Sequence, residues 1–331
     1  MECVVTGARG FVGRGLLPVL AAAGHVGSAT GRTVPSDLPP GWRGKARGEW
    51  LTATPSRVPA AIIHLEVEQT VPAPTAADSK AADRVNVGGT RAWLDWATKH
   101  GVRCFVFTSS IQATVPGGGC GTEESPLASG ATYGGSKARA EAEVRAWAAA
   151  DGGRRAVILR PAAVYGPDAA TNLVAFARRV ISGRRCLVGS GATPRSVVAR
   201  RNLAAAIAFA LNAPQAGCAV YQVSDPQTTT VAELAAMIAE FSRAPPPRSI
   251  PLLLARCAAP IGDLLALVTG REMPLSSARL RALESASHFP SDRLVAAGFV
   301  HPQSTREGLA EMLDWMTREA ARPGGSDAAG L

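Results

Sequence analysis

Near the head of the chain, "ECVVTGARGFVG" runs an apolar strand into a glycine-punctuated turn and straight on into a helix. Glycine is required where a backbone turns sharply and passes close to a pyrophosphate, and the helix behind the turn offers oriented N–H groups to the phosphates. The segment Thr6-Gly7-Ala8-Arg9-Gly10-Phe11-Val12-Gly13 supplies strand, turn and helix in that order. It reads as a dinucleotide-binding loop, with Gly7, Gly10 and Gly13 as its backbone contacts, rather than as an ordinary glycine turn.

The rest of the first half agrees. Short apolar runs ("VGSAT", "AAIIHL", "CFVFTSS", "AVILRPAAVYG") alternate with helical stretches ("GLLPVLAAAG", "GTRAWLDWATKHG", "SKARAEAEVRAWAAA"). That alternation predicts an α/β fold with a doubly wound parallel sheet covered on both faces. After Gly166 the pattern loosens into helices with short strands between them, one of which is expected to return to the sheet. The expected division is a dinucleotide-binding domain over 1–166, a smaller C-terminal substrate lobe over 167–321, and a flexible tail over 322–331.

The end of the second strand selects the cofactor. An acidic residue there would bind the ribose 2′-OH of NAD, whereas arginine accommodates a 2′-phosphate. This chain has Gly31-Arg32, with Arg9 inside the glycine loop on the same side. NADP(H) is therefore favoured, with NAD(H) the alternative, and Glu49 of "RGEWL" is placed to reach the adenine amino group.

The chemistry is signalled by Tyr133-Gly134-Gly135-Ser136-Lys137. Tyrosine and lysine four apart at the start of a helix project from one face. A phenol near its reference pKa of about 10 is a poor base at neutral pH, but a neighbouring ammonium stabilises the phenolate and lets it exchange a proton as hydride moves. Ser110, at the tip of "CFVFTSS", can hydrogen-bond the reacting oxygen.

Composition bears mainly on partners. The formal net charge is +9, and between Ala169 and Ser224 there are no acids but seven arginines: Arg178, Arg179, Arg184, Arg185, Arg195, Arg200 and Arg201. Such a field attracts an anion. No aromatic residues interleave with these arginines, so a phosphorylated small molecule is expected rather than nucleic acid. The six scattered cysteines imply neither zinc nor disulfides, and with five histidines no metal cluster is visible. The chain opens on a strand without an export signal and so reads as cytoplasmic. The apolar run over 250–268 is broken by Arg256, Pro260 and Asp263, which suits a buried or groove-lining helix better than a membrane span. No membrane partner is expected.

Taken in order, "TGARGFVG", "IIHL", "NVGGT", "FVFTSS", "YGGSK", "LRPAAVYGP" and "YQVSDPQTTTVAEL" resemble the extended short-chain dehydrogenase/reductases, specifically the NAD(P)-dependent epimerase/dehydratase family. Within it the chain is most similar to nucleotide-sugar 4-epimerases and 4-keto-sugar reductases. The resemblance implies a Rossmann-type sheet, catalytic roles for Ser110, Tyr133 and Lys137, and a supporting role for Asn86. It also implies nucleotide-sugar contacts from Asn172 and Arg195. Phe11, Val12, Trp50, Leu65 and Pro161 complete the expected cofactor wall. Relatives dimerise through the two helices that here carry Trp93, Trp96 and Trp147, so a homodimer is expected, unless those tryptophans simply pack on the sheet.

Three departures matter. Ser110-Ile111-Gln112 lacks the Asp-Glu pair of family dehydratases, which argues against 4,6-dehydration. Val198-Ala199-Arg200-Arg201 stands where many relatives carry two acids. "IIHLEVEQ" places Glu66 and Glu68 where relatives have small residues. Either these glutamates face solvent or pair with arginines, or one faces the pocket and draws a cationic group, as on an amino sugar. His64 is expected to be packed or hydrogen-bonded rather than a base. The leading expectation is hydride exchange at C4 of a nucleotide-activated sugar, as epimerase or reductase. The alternatives are a reductase or epimerase of a non-nucleotide substrate (aminocyclitol, steroid-like or flavonoid-like) and, least favoured, a non-catalytic NADP(H)-binding regulator.

Overall fold

Alternate residues of the central strands are apolar on both sides, and the protein buries both. In the computed structural model, described for residues 1–322 apart from 35, 69–75, 116–118, 213–215, 270–275, 278–279 and 282–286, thirteen strands and nine labelled helices are distinguished. The strands are β1 (Glu2–Thr6), β2 (Val26–Gly31), β3 (Trp42–Ala46), β4 (Ala61–His64), β5 (Cys104–Thr108), β6 (Arg155–Pro161), β7 (Ala163–Tyr165), β8 (Arg185–Val188), β9 (Pro194–Arg195), β10 (Val197–Ala199), β11 (Gly217–Val223), β12 (Thr229–Thr230) and β13 (Arg248–Ile250). The helices are α1 (Phe11–Ala22), α2 (Arg47–Thr52), α3 (Ala76–Asp83), α4 (Gly89–His100), α5 (Tyr133–Ala149), α6 (Asn172–Ile181), α7 (Arg200–Ala210), α8 (Val231–Ser242) and α9 (Leu252–Thr269), followed by unlabelled helices over Asp292–Ala296 and Thr305–Ala320. The expected tail falls, beyond Arg322, outside the described residues.

Seven strands form one parallel sheet in the order β3-β2-β1-β4-β5-β6-β11. The order reverses between β1 and β4, so the crevice above Thr6 and His64 is where a doubly wound sheet receives its ligand. The fourth strand is thus "AIIH", and β11, "GCAVYQV", is the strand that returns.

Period-two alternation divides the core. Val5, Ile63 and Val106 face α1 and α7, meeting Leu16, Leu20, Leu203 and Ile207. Val4, Ile62, Phe105 and Phe107 face α4 and α5. There Trp93, Trp96 and Trp147 lie in the interior. These tryptophans pack on the sheet, and any pairing of α4 and α5 with a second copy would use the exposed residues of those helices. A third cluster joins Tyr165, Leu234, Ile238 and the helix Thr305–Ala320.

Of the two roles expected for the run over 250–268, buried or groove-lining, helix α9 is not wholly buried and lines a cavity through Leu252: among its described side chains Ala255 and Ala259 turn inward, while Leu253, Leu254 and Ile261 face solvent. No described helix is long and apolar enough to cross a membrane.

Candidate active site

Gly7 ends β1 with φ +65°, a left-handed conformation that favours glycine, and a Cβ there would lie 2.9 Å from the Glu66 amide nitrogen. The turn thus presses against the end of β4, and Gly10 caps α1 without a side chain. The absence of a side-chain cap leaves first-turn N–H groups of α1 for an anion. A nicotinamide dinucleotide fits this cradle, which would hold it through Gly7, Gly10 and Gly13 and the α1 N-terminus. Val12 and Phe11 begin that helix, and Leu65 and Pro161 sit buried or at the ends of β4 and β6 in the same crevice. Arg9 bonds through its guanidinium to the Thr33 hydroxyl just beyond β2. Arg32 stands beside it, 85% exposed and 4.0 Å from Glu68. Glu49 is exposed in α2, whereas Trp50 turns its indole into the core against Trp96, 5.2 Å between ring centroids.

Beneath this crevice the polar groups are wired together. The Thr6 hydroxyl meets His64 Nδ1 at 2.7 Å, and His64 Nε2 meets the Thr90 hydroxyl at 3.1 Å. Thr90 donates to the Asn86 carbonyl, so it accepts from Nε2–H, and the network assigns a neutral imidazole with the proton on Nε2. Burial, then the charges of Lys137 and Arg47, hold His64 well below the usual histidine range. His64 is therefore a structural bridge between strands and helix, as its sequence setting suggested.

Asn86 occupies a π-helical turn, Arg84–Gly88, ahead of α4. Its amide accepts from the Glu68 N–H at 2.8 Å and donates both to the Glu68 carbonyl and to the Ser136 hydroxyl, each at 2.9 Å. Ser136 in turn donates to the Tyr133 carbonyl at 2.8 Å. Asn86 thus ties the segment after β4 to the first turn of α5.

That turn is packed closely. Thr132 caps it by accepting from the Gly135 N–H at 3.0 Å, and a Cβ on Gly134 would fall 2.0 Å from the Gln112 carbonyl oxygen. Only glycine lets Tyr133 approach Ser110 so directly. The Ser110 hydroxyl accepts from the Gln112 N–H at 3.1 Å and lies near enough to the Tyr133 phenol to influence its ionisation. Burial pushes that phenol up to about 12, and the Ser110 contact draws it back. One turn on, Lys137 Nζ donates to the Thr108 carbonyl at 2.9 Å and lies 4.9 Å from the centre of the Phe107 ring. Burial pulls Lys137 down to about 7, with the Glu141 charge opposing. Phenol, hydroxyl and ammonium are thereby gathered on one side of α5, the arrangement needed to move a proton at an alcohol or carbonyl oxygen.

The glutamates of "IIHLEVEQ" resolve toward arginines. Glu66 folds inward, 3.4 Å from Arg47, beside the Trp93 indole; burial raises its carboxyl while Arg47 chiefly counters. Glu68 faces Arg32. Neither is presented singly to a cationic substrate group.

The arginine-rich segment does not converge on one anion. Arg178 and Arg179 end α6, where cations suit the helix C-terminus, and Arg179 and Arg185 are spent on the Arg185 and Ser249 carbonyls. Arg200 pairs with Asp168 at 2.8 Å and stacks on Phe11. Arg195 is half-buried in β9, its guanidinium lowered by that burial, and Asn172 is exposed at the head of α6. A cavity of about 230 Å³ opens between β8, the turn after it, and the first residues of α8 and α9, lined by Val188, Ser190, Thr193, Val231 and Leu252 among others.

Two buried groups were not singled out from the sequence. Glu141, one turn beyond Lys137, accepts from Ser109 at 2.6 Å and from Arg160 at both oxygens. Helical spacing from Tyr133 and Lys137 was the available signal. Asp225 accepts from Tyr165, Asn202 and the Ala199 N–H, each within 2.8 Å. It thus places a carboxylate at the start of α7, where this chain carries Arg200 and Arg201.

Comparison with known proteins gives four likenesses. The profile described as "NAD dependent epimerase/dehydratase family" matches residues 3–224, about two thirds of the chain. An N-acetyl-α-D-glucosaminyl-diphospho-ditrans,octacis-undecaprenol 4-epimerase of Escherichia coli O157:H7 is 28% identical over 233 residues, 70% of either chain. A 2-alkyl-3-oxoalkanoate reductase of Stenotrophomonas maltophilia (strain K279a) is 30% identical over 244 residues, 71% of this chain and 73% of that one. Among solved structures, a human epimerase family protein with NADPH superposes with a TM-score of 0.74 at 20% identity, covering 95% of this chain and 99% of the other.

Proposed function

Because the chain belongs to the NAD-dependent epimerase/dehydratase family, we propose that it moves hydride at C4 of a sugar held through a diphosphate. The link is to a nucleoside in the nucleotide-sugar enzymes it resembles and to a polyprenol in the E. coli relative. The observation that carries this reading is that Tyr133 opens α5, tied through Ser136 to Asn86, one turn from Lys137, which is buried and fixed on Thr108 beside the Ser110 strand end.

The residues divide the work as follows. Ser110 donates to the reacting oxygen and holds it beside Tyr133. Tyr133 takes the proton from an alcohol, or returns it to a carbonyl, at its phenolic oxygen. Lys137, fixed on Thr108, lowers the cost of the phenolate by its charge. Asn86 and Gly134 hold the first turn of α5 so that these groups keep their spacing. A bound nicotinamide supplies the hydride acceptor and donor. Arg9 and Arg32 favour the 2′-phosphorylated form, NADP(H), with NAD(H) the alternative that the Glu68 carboxylate beside Arg32 supports. Arg195 and Asn172 are assigned to the substrate diphosphate, with β8, β9, α8 and α9 as the covering lobe.

The same arginines favour a second reading, a ketone reductase, which the similarity to an oxoalkanoate reductase also supports. The test is to follow product and reduced cofactor together in purified protein supplied in turn with a diphosphate-linked hexose, its 4-keto derivative and a 3-oxoalkanoate. Epimer formed from the hexose without net cofactor consumption supports the epimerase; stoichiometric consumption with either ketone supports the reductase; neither, with any nicotinamide cofactor, refutes both.

A further inference from the structure

An amphipathic helix on a globular protein normally buries its large apolar residues and shows its small or polar ones. Among its described side chains, helix α9 does the reverse. Ala255 and Ala259 recur at helical spacing on the inner side, packed near Val188, Ile250 and Leu252. Leu253 is 74% exposed, Leu254 60%, Ile261 59% and Leu265 47%. Those four lie along one helix as a continuous apolar ridge, and large exposed apolar patches mark interaction surfaces.

Charge says what kind of surface it meets. From Phe241 to Leu265 the sequence holds Arg243, Arg248 and Arg256 against a single acid, Asp263, whose carboxylate accepts from the Ser277 N–H. Strand β13, which leads into α9, pairs with β8, so Arg248 and Arg185 lie side by side at the root of the ridge, both exposed. An apolar ridge rooted in exposed arginines is complementary to an anionic lipid leaflet, with the side chains entering the acyl boundary and the guanidinium groups meeting the headgroups. The ridge is also continuous with the substrate lobe: Leu252, the residue before it, lines the cavity between β8 and α9.

We propose that α9 seats the protein on the surface of an anionic bilayer through Leu253, Leu254, Ile261 and Leu265, so that the cavity at Leu252 opens to a sugar whose diphosphate is carried by a membrane lipid. The second half rests on the sugar-C4 reading above; the first half does not. It departs from the expectation of no membrane partner.

The test uses the full chain, its Leu253→Glu/Ile261→Glu variant and its Tyr133→Phe variant, with vesicles of phosphatidylcholine alone or mixed with phosphatidylglycerol. The parent and Tyr133→Phe are expected to sediment with the mixed vesicles, and the double variant, with an unchanged melting temperature, to bind at least about tenfold more weakly. Equal sedimentation of parent and double variant, or none by the parent, overturns the seating. So does light scattering that finds a parent dimer dispersed by the same substitutions without lipid binding, since a second copy would then cover the ridge. For the substrate, the double variant is expected to lose turnover of a polyprenyl-diphosphate sugar in vesicles and to keep that of the same sugar on a soluble nucleoside diphosphate. Turnover of the nucleotide form alone by the parent overturns the lipid carrier. No turnover of either form defeats the C4 reading while leaving vesicle binding to be judged by itself.

Discussion

Arg160 grips Glu141 at two points, Nε on Oε1 at 2.8 Å and Nη2 on Oε2 at 2.6 Å, with both side chains shut off from water. The clasp joins β6 to α5 one turn beyond Lys137. Removing one partner of a buried pair leaves the other charge uncompensated, so Glu141→Gln is expected to cost about 3–5 kcal/mol, read as a lower urea midpoint. Replacing both partners with apolar residues of similar volume, Glu141→Leu with Arg160→Met, is expected to cost far less. An equal loss in the single and double variants would contradict the clasp.

Lys137 gives stability a pH dependence whose sign follows from its burial. Its folded value, about 7, lies below the ordinary lysine value of 10.5. Between those limits the unfolded chain binds a proton that the folded chain has released, so stability rises with pH and is lost as pH falls toward 7. The slope in the cofactor-free protein is expected to approach about 1.4 kcal/mol per pH unit in mid-window, and Lys137→Met should flatten it. Urea titrations of both chains across this range provide the check.

Gly134 is where the site is least forgiving of added volume. A methyl group 2.0 Å from the Gln112 oxygen forces the first turn of α5 away. Gly134→Ala is therefore expected to lower stability by about 1–3 kcal/mol and to reduce kcat more than it raises KM, since it moves Tyr133 from Ser110. Thermal melts and steady-state kinetics on the same preparation separate the two effects.

The arginines flanking the adenosine end can be weighed by affinity. Removing both Arg9 and Arg32 to alanine is expected to weaken NADPH binding by about tenfold or more, as for loss of charge-assisted hydrogen bonds, and to change NADH by much less. Fluorescence titration of the two cofactors measures this directly, and equal losses for both would remove the 2′-phosphate assignment.

These outcomes also mark what a linear reading can reach. The sheet was legible because its strands are consecutive and doubly buried, and the return of one later strand could be expected, though only the fold shows that it is β11. The glycine loop and Tyr133 to Lys137 were legible because their chemistry is local in sequence. Asp225 was not: its partners Tyr165 and Asn202 lie 60 and 23 residues away and are met only through the fold. Nor did seven arginines without acids reveal that Arg200 turns to Asp168 while Arg179 turns to a carbonyl. Composition counts charges but not directions. Helix α9 shows the same limit from the other side, since an apolar run does not declare which face is turned inward.

The central claim is that Tyr133 exchanges the proton while hydride moves at the sugar. Replacing tyrosine by phenylalanine removes one oxygen and leaves the ring, so the measurement is kcat of Tyr133→Phe against the parent with a diphosphate-linked hexose, alongside cofactor affinity. The account predicts a fall of about 10²–10⁴-fold in kcat with cofactor binding intact. A kcat within about twofold of the parent, far below what a general acid–base contributes, would contradict it.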